Sequence, residues 1–147
     1  MALFRGTFDH TLDAKNRLTV PARYRDQFEA GAVLAMPFDA RPCVGLWRPA
    51  DYDAVTGEAL GKLPALGADR SQLERFLYGS SQDGELDRAG RIMIPVFLAT
   101  HASLVKDVMV VGAGNRLELW NREAWEENRP ALYEGITEVI ARVASTA

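Results

Sequence analysis

The stretch Leu12-Asp13-Ala14-Lys15-Asn16-Arg17-Leu18-Thr19-Val20-Pro21 returns seventy-four positions later as Leu86-Asp87-Arg88-Ala89-Gly90-Arg91-Ile92-Met93-Ile94-Pro95. Both copies read Leu-Asp-x-x-[Asn/Gly]-Arg-[Leu/Ile]-x-[Val/Ile]-Pro. An Asp, an Arg, three aliphatic residues and a Pro in one order point to an internal duplication. Further on, Val44-Gly45-Leu46-Trp47 matches Leu117-Glu118-Leu119-Trp120 at an offset of seventy-three. The duplication therefore covers about forty residues with one gap.

Each copy has the same local plan. Phe4 to Asp9 holds enough β-formers for a strand, and Arg17 to Val20 alternates polar with aliphatic, so the motif is a hairpin connection between strands. Pro21 cannot donate to a ladder but suits a first helical turn, which predicts a short helix over Pro21 to Phe28 closed by Gly31. Ala32 to Met36 and Cys43 to Trp47 then read as a strand and its return around a turn at Phe38 to Pro42. The second copy repeats this with a strand at Arg91 to Ile94, a helix at Pro95 to Ala102, and strands at Asp107 to Val111 and Leu117 to Trp120 around Gly112-Ala113-Gly114-Asn115. Trp47 and Trp120 read as core anchors.

Between the copies, Pro49 to Leu63 and Ser71 to Tyr78 read as helices broken at Pro64 to Ala68. Near the C-terminus, Leu132, Ile136, Val139, Ile140 and Val143 form the stripe of an amphipathic helix, expected to be buried against a neighbour. Glu134 and Glu138 on its polar side argue against an anionic membrane surface. The resulting division is 7–54 for the first repeat, 55–80 for a helical connector, 81–124 for the second repeat and 125–147 for the terminal helix.

The residue types of the motif suggest its chemistry. Asp13 and Asp87 are short acceptors at the entrance of a tight connection, where a carboxylate can bind backbone N–H groups two or more residues on. Asn16 and Gly90 share one slot and are the residue types that most readily take a positive φ. Arg17 and Arg91 follow directly. Each either closes a structural clip on its own Asp or presents its planar fork to guanine, phosphate or a carboxylate.

Composition bounds the partners. The 147 residues are 48% hydrophobic, sufficient for one ordinary core or two small ones, with no apolar run of membrane-spanning length and no secretory signal pattern. A cytoplasmic location is the expectation. Cys43 has no disulfide partner, and with His10 and His101 it forms no metal-site spacing, so neither a metal nor a cofactor is expected. The net charge of −3 argues mildly against nucleic acid, yet Arg5, Lys15, Arg17, Arg23 and Arg25 face only Asp9 and Asp13 within the first 25 residues, a local +3. Between positions 83 and 91, Asp83, Glu85 and Asp87 outnumber Arg88 and Arg91, so phosphate should be drawn to the first copy.

Enzymatic readings find little support. Gly112-x-Gly114 lacks the Lys-Ser/Thr of a phosphate-binding loop and the spacing of a dinucleotide site, and reads as a hairpin turn. His10 and His101 have no triad context and read as surface or packing residues. Glu123, Glu126 and Glu127 read as a solvated first turn of the last helix.

The doubled Asp-x-x-x-Arg, Asp13 to Arg17 and Asp87 to Arg91, each followed by aliphatic-x-aliphatic-Pro, resembles the MraZ family of bacterial transcriptional regulators. The resemblance extends from Phe4-Arg5-Gly6 to Val110-Val111-Gly112 and Leu117-Glu118-Leu119-Trp120. It implies an α+β fold of tandem AbrB-like swapped-hairpin repeats forming a small β-barrel with flanking helices. It also implies a nucleoid-associated, ring-shaped homo-oligomer that binds promoter direct repeats in double-stranded DNA and represses its own division and cell-wall operon. The family's DNA-contacting loop maps onto Asp13, Lys15, Asn16 and Arg17, with Asp87 and Arg91 in the second copy. One departure is visible: the family usually has Gly where this chain has Asn16.

Sequence-specific DNA binding is the leading function, with Arg17 reading base edges, Lys15, Arg5 and Arg23 holding phosphates, and Asp13 shaping the loop. The first copy is expected to be the better reader and the second an auxiliary. The alternative is an oligomerisation or protein-interaction module that does not bind DNA and uses the two Arg loops as subunit contacts.

Overall fold

The computed structural model describes residues 2–146. The first repeat forms β1 (Thr7–Thr11), β2 (Arg17–Thr19), a 3-10 helix (Ala22–Phe28), β3 (Ala32–Ala35) and β4 (Cys43–Trp47). Helices α1 (Pro49–Gly61) and α2 (Ala68–Gly79) connect it to the second repeat, which forms β5 (Ser81–Gly84), β6 (Arg91–Met93), α3 (Val96–His101), β7 (Asp107–Gly112) and β8 (Arg116–Asn121). Helix α4 (Arg122–Ser145) follows.

All strand pairs are antiparallel. Six strands form one sheet in the order β1-β7-β8-β4-β3-β5, and β2 pairs with β6 in a separate ribbon. Replacing each strand of one repeat by its counterpart reverses the six-strand order and leaves it unchanged. The repeats are thus related by a pseudo-twofold, and each lends its first strand to the other: β1 pairs with β7, and β5 with β3. The large sheet is open, with β1 and β5 at its edges.

Period-two alternation drives the packing. Leu18 and Ile92, cross-strand partners in the ribbon, turn inward and are 0% and 1% exposed. They share a core with Val20, Leu34, Val44, Leu46, Ile94, Val108, Val110, Leu117 and Leu119. Trp47 packs edge-on against Tyr52 of α1, and Trp120 against Trp125 of α4, so both tryptophans are core anchors. Arg48 is a buried cation, donating to Gln27 through Nη1 and lying 4.5 Å from the centre of the Phe4 ring.

Several sequence-based expectations need correction. The first strand runs Thr7–Thr11 rather than from Phe4, because Gly6 takes φ +92° and leaves Phe4 in a single bridge to Gly114. The helix after Pro21 is 3-10. Ser81–Gly84 is a strand although its Ser-Gln-Asp-Gly sequence carries no β signal; pairing with β3 overrides propensity. The α4 stripe is not buried within the chain. Leu132, Ile136, Val139, Ile140 and Val143 are exposed, and Trp125 is the one buried residue of the helix. Among the described residues no helix is long and apolar enough to cross a membrane.

Candidate nucleic-acid interface

The two motif copies fold into turns with the same hydrogen-bond pattern. In the first, Asp13 Oδ1 accepts the backbone N–H groups of Lys15 and Arg17 at 2.9 and 3.0 Å, and Oδ2 accepts Arg17 Nε at 2.7 Å. In the second, Asp87 Oδ1 accepts the N–H groups of Ala89 and Arg91, each at 2.9 Å, and Oδ2 accepts Arg91 Nε at 2.9 Å. Backbone bonds complete each turn, Asn16 to Asp13 and Gly90 to Asp87. The shared slot is left-handed in both, with φ +56° at Asn16 and +78° at Gly90. This is the conformation that the residue types anticipate.

These bonds also set the charge state of the turns. The Arg17 backbone N–H, then the Arg17 side chain and the Lys15 N–H, hold the Asp13 carboxyl below the usual carboxylate range. Asp87 is lowered in the same way, first by the Arg91 backbone N–H. Both carboxyls are therefore anions at neutral pH, committed to shaping the turn.

The clip and the presentation of the fork are compatible. Each Arg spends only Nε on its Asp, and among the described residues neither Arg17 nor Arg91 has a protein partner for its terminal amino groups. Two terminal amino groups of each guanidinium, with four N–H donors, remain for a ligand.

The ribbon brings the two turns together. Arg17 pairs with Met93, Leu18 with Ile92 and Thr19 with Arg91. Leu18 and Ile92 point to the core, so Arg17, Thr19, Arg91 and Met93 lie on the opposite, solvent-facing side, with the arginines diagonally opposed. The turns sit at opposite ends of this three-residue ribbon, about 7 Å long from end to end. They are cross-tied: the Asn16 carbonyl accepts Ile94 N–H, and the Gly90 carbonyl accepts Val20 N–H, both at 2.9 Å.

Other anticipated residues fall at varied distances from this face. Lys15 is exposed at the tip of the first turn. Arg5 lies beyond the opposite end of β1, where its backbone N–H and carbonyl both bond the Tyr24 hydroxyl. Arg23 lies over the Phe8 and Tyr24 rings. His10 is held below the ordinary imidazole range by burial and then by the Arg25 charge, and His101 Nε2 contacts the Arg41 carbonyl at 2.9 Å. Gly112 ends β7, and Ala113 to Asn115 form the hairpin turn before β8.

Three residues of this region escaped sequence reasoning. Thr19 and Met93, the latter 59% exposed, are neighbours of the arginines through cross-strand register. Strand alternation could have placed them on the outer face, but not beside their partners. Arg25 is the third. It counts toward the first copy in the sequence, yet its side chain packs on Gly90 of the second turn, within 2.3 Å of where a Cβ would stand. No linear signal announces this, because the repeats exchange their neighbours.

Exchanged strands and two Asp–Arg turns flanking one ribbon define a tandem-repeat α+β protein with a cation-bearing outer face. The family model described as "MraZ protein, putative antitoxin-like" matches residues 3–64 and 77–134. The chain belongs to the MraZ family. It is 39% identical over 125 residues to the transcriptional regulator MraZ of Limosilactobacillus reuteri, covering 85% of this chain and 86% of the relative. It is 37% identical over 130 residues to that of Legionella pneumophila strain Corby, covering 86% and 85%. It is 34% identical over 141 residues to that of Heliobacterium modesticaldum, covering 94% and 96%. The family is one of transcriptional regulators rather than enzymes.

Proposed function

We propose that the protein is a sequence-specific DNA-binding transcriptional regulator whose reading face is the outer side of the β2/β6 ribbon. One observation carries this reading: two cation-bearing turns, each with an Arg whose terminal amino groups have no protein partner among the described residues, share one solvent-facing ribbon. A two-stranded ribbon fits the major groove, and the Arg fork matches the O6 and N7 acceptors of guanine. Arg17 and Arg91 read base edges, Lys15 holds phosphate, and Asp13 and Asp87 keep the turns in shape. Arg5 serves flanking phosphate. Asn16, where the family usually has Gly, adds a polar side chain at the same surface. The exchange of first strands between repeats fits the AbrB-like swapped-hairpin plan.

Assembly belongs to the same proposal. So few cations on an acidic chain give weak affinity for one half-site, and a ring-shaped homo-oligomer engaging promoter direct repeats restores it through effective concentration. The uncovered apolar stripe of α4 supports self-association. The proposed targets are the repeats upstream of its own division and cell-wall operon, where binding represses transcription in the nucleoid-containing cytoplasm.

The test is a gel shift on the DNA upstream of the gene, with oligomer size followed by light scattering. Arg17→Ala is expected to weaken binding at least tenfold at unchanged size. Unchanged affinity overturns the readout role. A change of size instead supports the alternative in which the Arg loops are subunit contacts.

A further inference from the structure

Counting charge along the chain gives Arg25 to the first motif copy, and the fold gives it to the second. Its Nε donates to the Val20 carbonyl at 3.0 Å, and the Val20 N–H in turn donates to the Gly90 carbonyl at 2.9 Å. The side chain lies across Gly90 so closely that a Cβ there would fall 2.3 Å from Nε and 2.8 Å from Cζ. Arg25 and Arg88 line one open cleft of about 490 Å³ beside the second turn.

The sequence shows a matching exchange of size. The counterpart of Arg25 at the offset of seventy-four is Ala99, and the counterpart of Gly90 is Asn16. The repeat whose turn carries the Asn side chain matches an Ala at the helix position of the other repeat, and the turn without a side chain meets Arg25. Gly90 thus clears the space that the Arg25 guanidinium crosses.

Charge gives this placement a use. The second turn is poor in cations, with Asp83, Glu85 and Asp87 against Arg88 and Arg91, and Glu29 lines the same cleft. Asp87 is already occupied by Arg91. Arg25 raises the guanidinium count to three against these four carboxylates and so lowers the cost of bringing a phosphate to the turn. Among the described residues, Arg25 bonds protein only through Nε, which leaves both terminal amino groups for an anion.

We propose that Arg25, supplied by the first repeat, is a DNA-phosphate-binding residue of the second turn and makes that turn a full contact rather than an auxiliary one. This rests on the DNA-binding reading above.

The test compares wild type, Arg25→Gln, Arg25→Lys, Arg17→Ala and Arg91→Ala on the upstream DNA across a salt series, with thermal melting of each variant as a folding control. Arg25→Gln is expected to bind about 8-fold more weakly near 0.1 M salt and to lower the slope of log affinity against log salt by about 0.9, as loss of one phosphate contact requires. Arg25→Lys, which keeps the charge but loses the planar fork, is expected to retain the slope. Arg25→Gln combined with Arg91→Ala is expected to be non-additive, and combined with Arg17→Ala additive, because only Arg91 belongs to the same turn. A normal slope in Arg25→Gln, with Arg17→Ala still weakening binding, overturns the Arg25 assignment alone and leaves it a buttress of Gly90. Loss of slope in both Arg25→Gln and Arg25→Lys likewise assigns it a structural role. If neither Arg17→Ala nor Arg91→Ala weakens binding, the DNA reading fails and this inference fails with it.

Discussion

The backbone N–H of Ile94 donates to the carbonyl of Asn16 at 2.9 Å, so the left-handed residue of the first turn is tied to the strand end of the second repeat. The mirror bond runs from Val20 to Gly90. Neither turn can move without the other repeat's strand, and the two Arg side chains are therefore held in one frame.

Core substitutions in the ribbon should disturb both turns at once. Leu18 and Ile92 are cross-strand partners, both fully buried. Leu18→Ala or Ile92→Ala is expected to cost about 2–5 kcal/mol in urea unfolding, with lost amide protection at both turns. Protection lost at one turn alone would show that the turns are independent.

Backbone handedness gives a second, asymmetric expectation. At Gly90 an Ala meets both a positive φ and the Arg25 side chain, so Gly90→Ala should destabilise by roughly 1–2 kcal/mol or more. Arg25→Ala should partly rescue it. Asn16→Gly, by contrast, should change stability by only a few tenths of a kcal/mol, since Asn already tolerates this region. Urea titration of Gly90→Ala, Arg25→Ala, their double variant and Asn16→Gly checks this.

Acid should loosen the turns in a defined direction. Asp13 and Asp87 have carboxyls lowered in the folded chain, so their contribution is present above the unfolded carboxyl value and is lost as pH falls through the folded one. The thermal midpoint of wild type should therefore drop on acidification below about pH 4, the ordinary carboxyl range, and the double variant Asp13→Asn, Asp87→Asn should show a flatter profile. Identical profiles would contradict the assigned bonds.

His10 reports on Arg25 independently of DNA. Burial first, and then the Arg25 charge, lower its imidazole, so the folded chain binds this proton more weakly than the unfolded one and stability falls as pH drops through the ordinary imidazole value. In an NMR titration Arg25→Ala should move His10 up toward that value.

Cys43 should be inert. Burial raises its thiol far above the ordinary value, with the Glu118 and Asp39 charges adding to the effect. A thiol-alkylating reagent should modify it only after unfolding.

Much of this molecule was legible in the repeat. The Asp and the Asn/Gly slot announced the turn because local hydrogen bonding and backbone sterics depend on a few adjacent residues. The helices after Pro21 and Pro95 and the hairpins ending in Trp47 and Trp120 followed from equally local signals. What escaped was long-range. Ser81–Gly84 is a strand only because β3 lies beside it, and Arg25 reaches the second turn only because the repeats exchange partners. Local charge counting therefore ranked the first turn above the second by +3 against −1, a gap that the placement of Arg25 narrows to +2 against 0. The α4 stripe was read as amphipathic and buried, but among the described residues nothing covers it.

The central claim is that the paired turns read DNA together from one ribbon face. Its most direct test is the affinity of wild type, Arg17→Ala and Arg91→Ala for the upstream DNA at one salt concentration, by fluorescence anisotropy, with assembly mass held constant by light scattering. Each single variant is expected to bind at least tenfold more weakly at unchanged mass; wild-type affinity in both variants, or a loss that appears only when the mass changes, would contradict it.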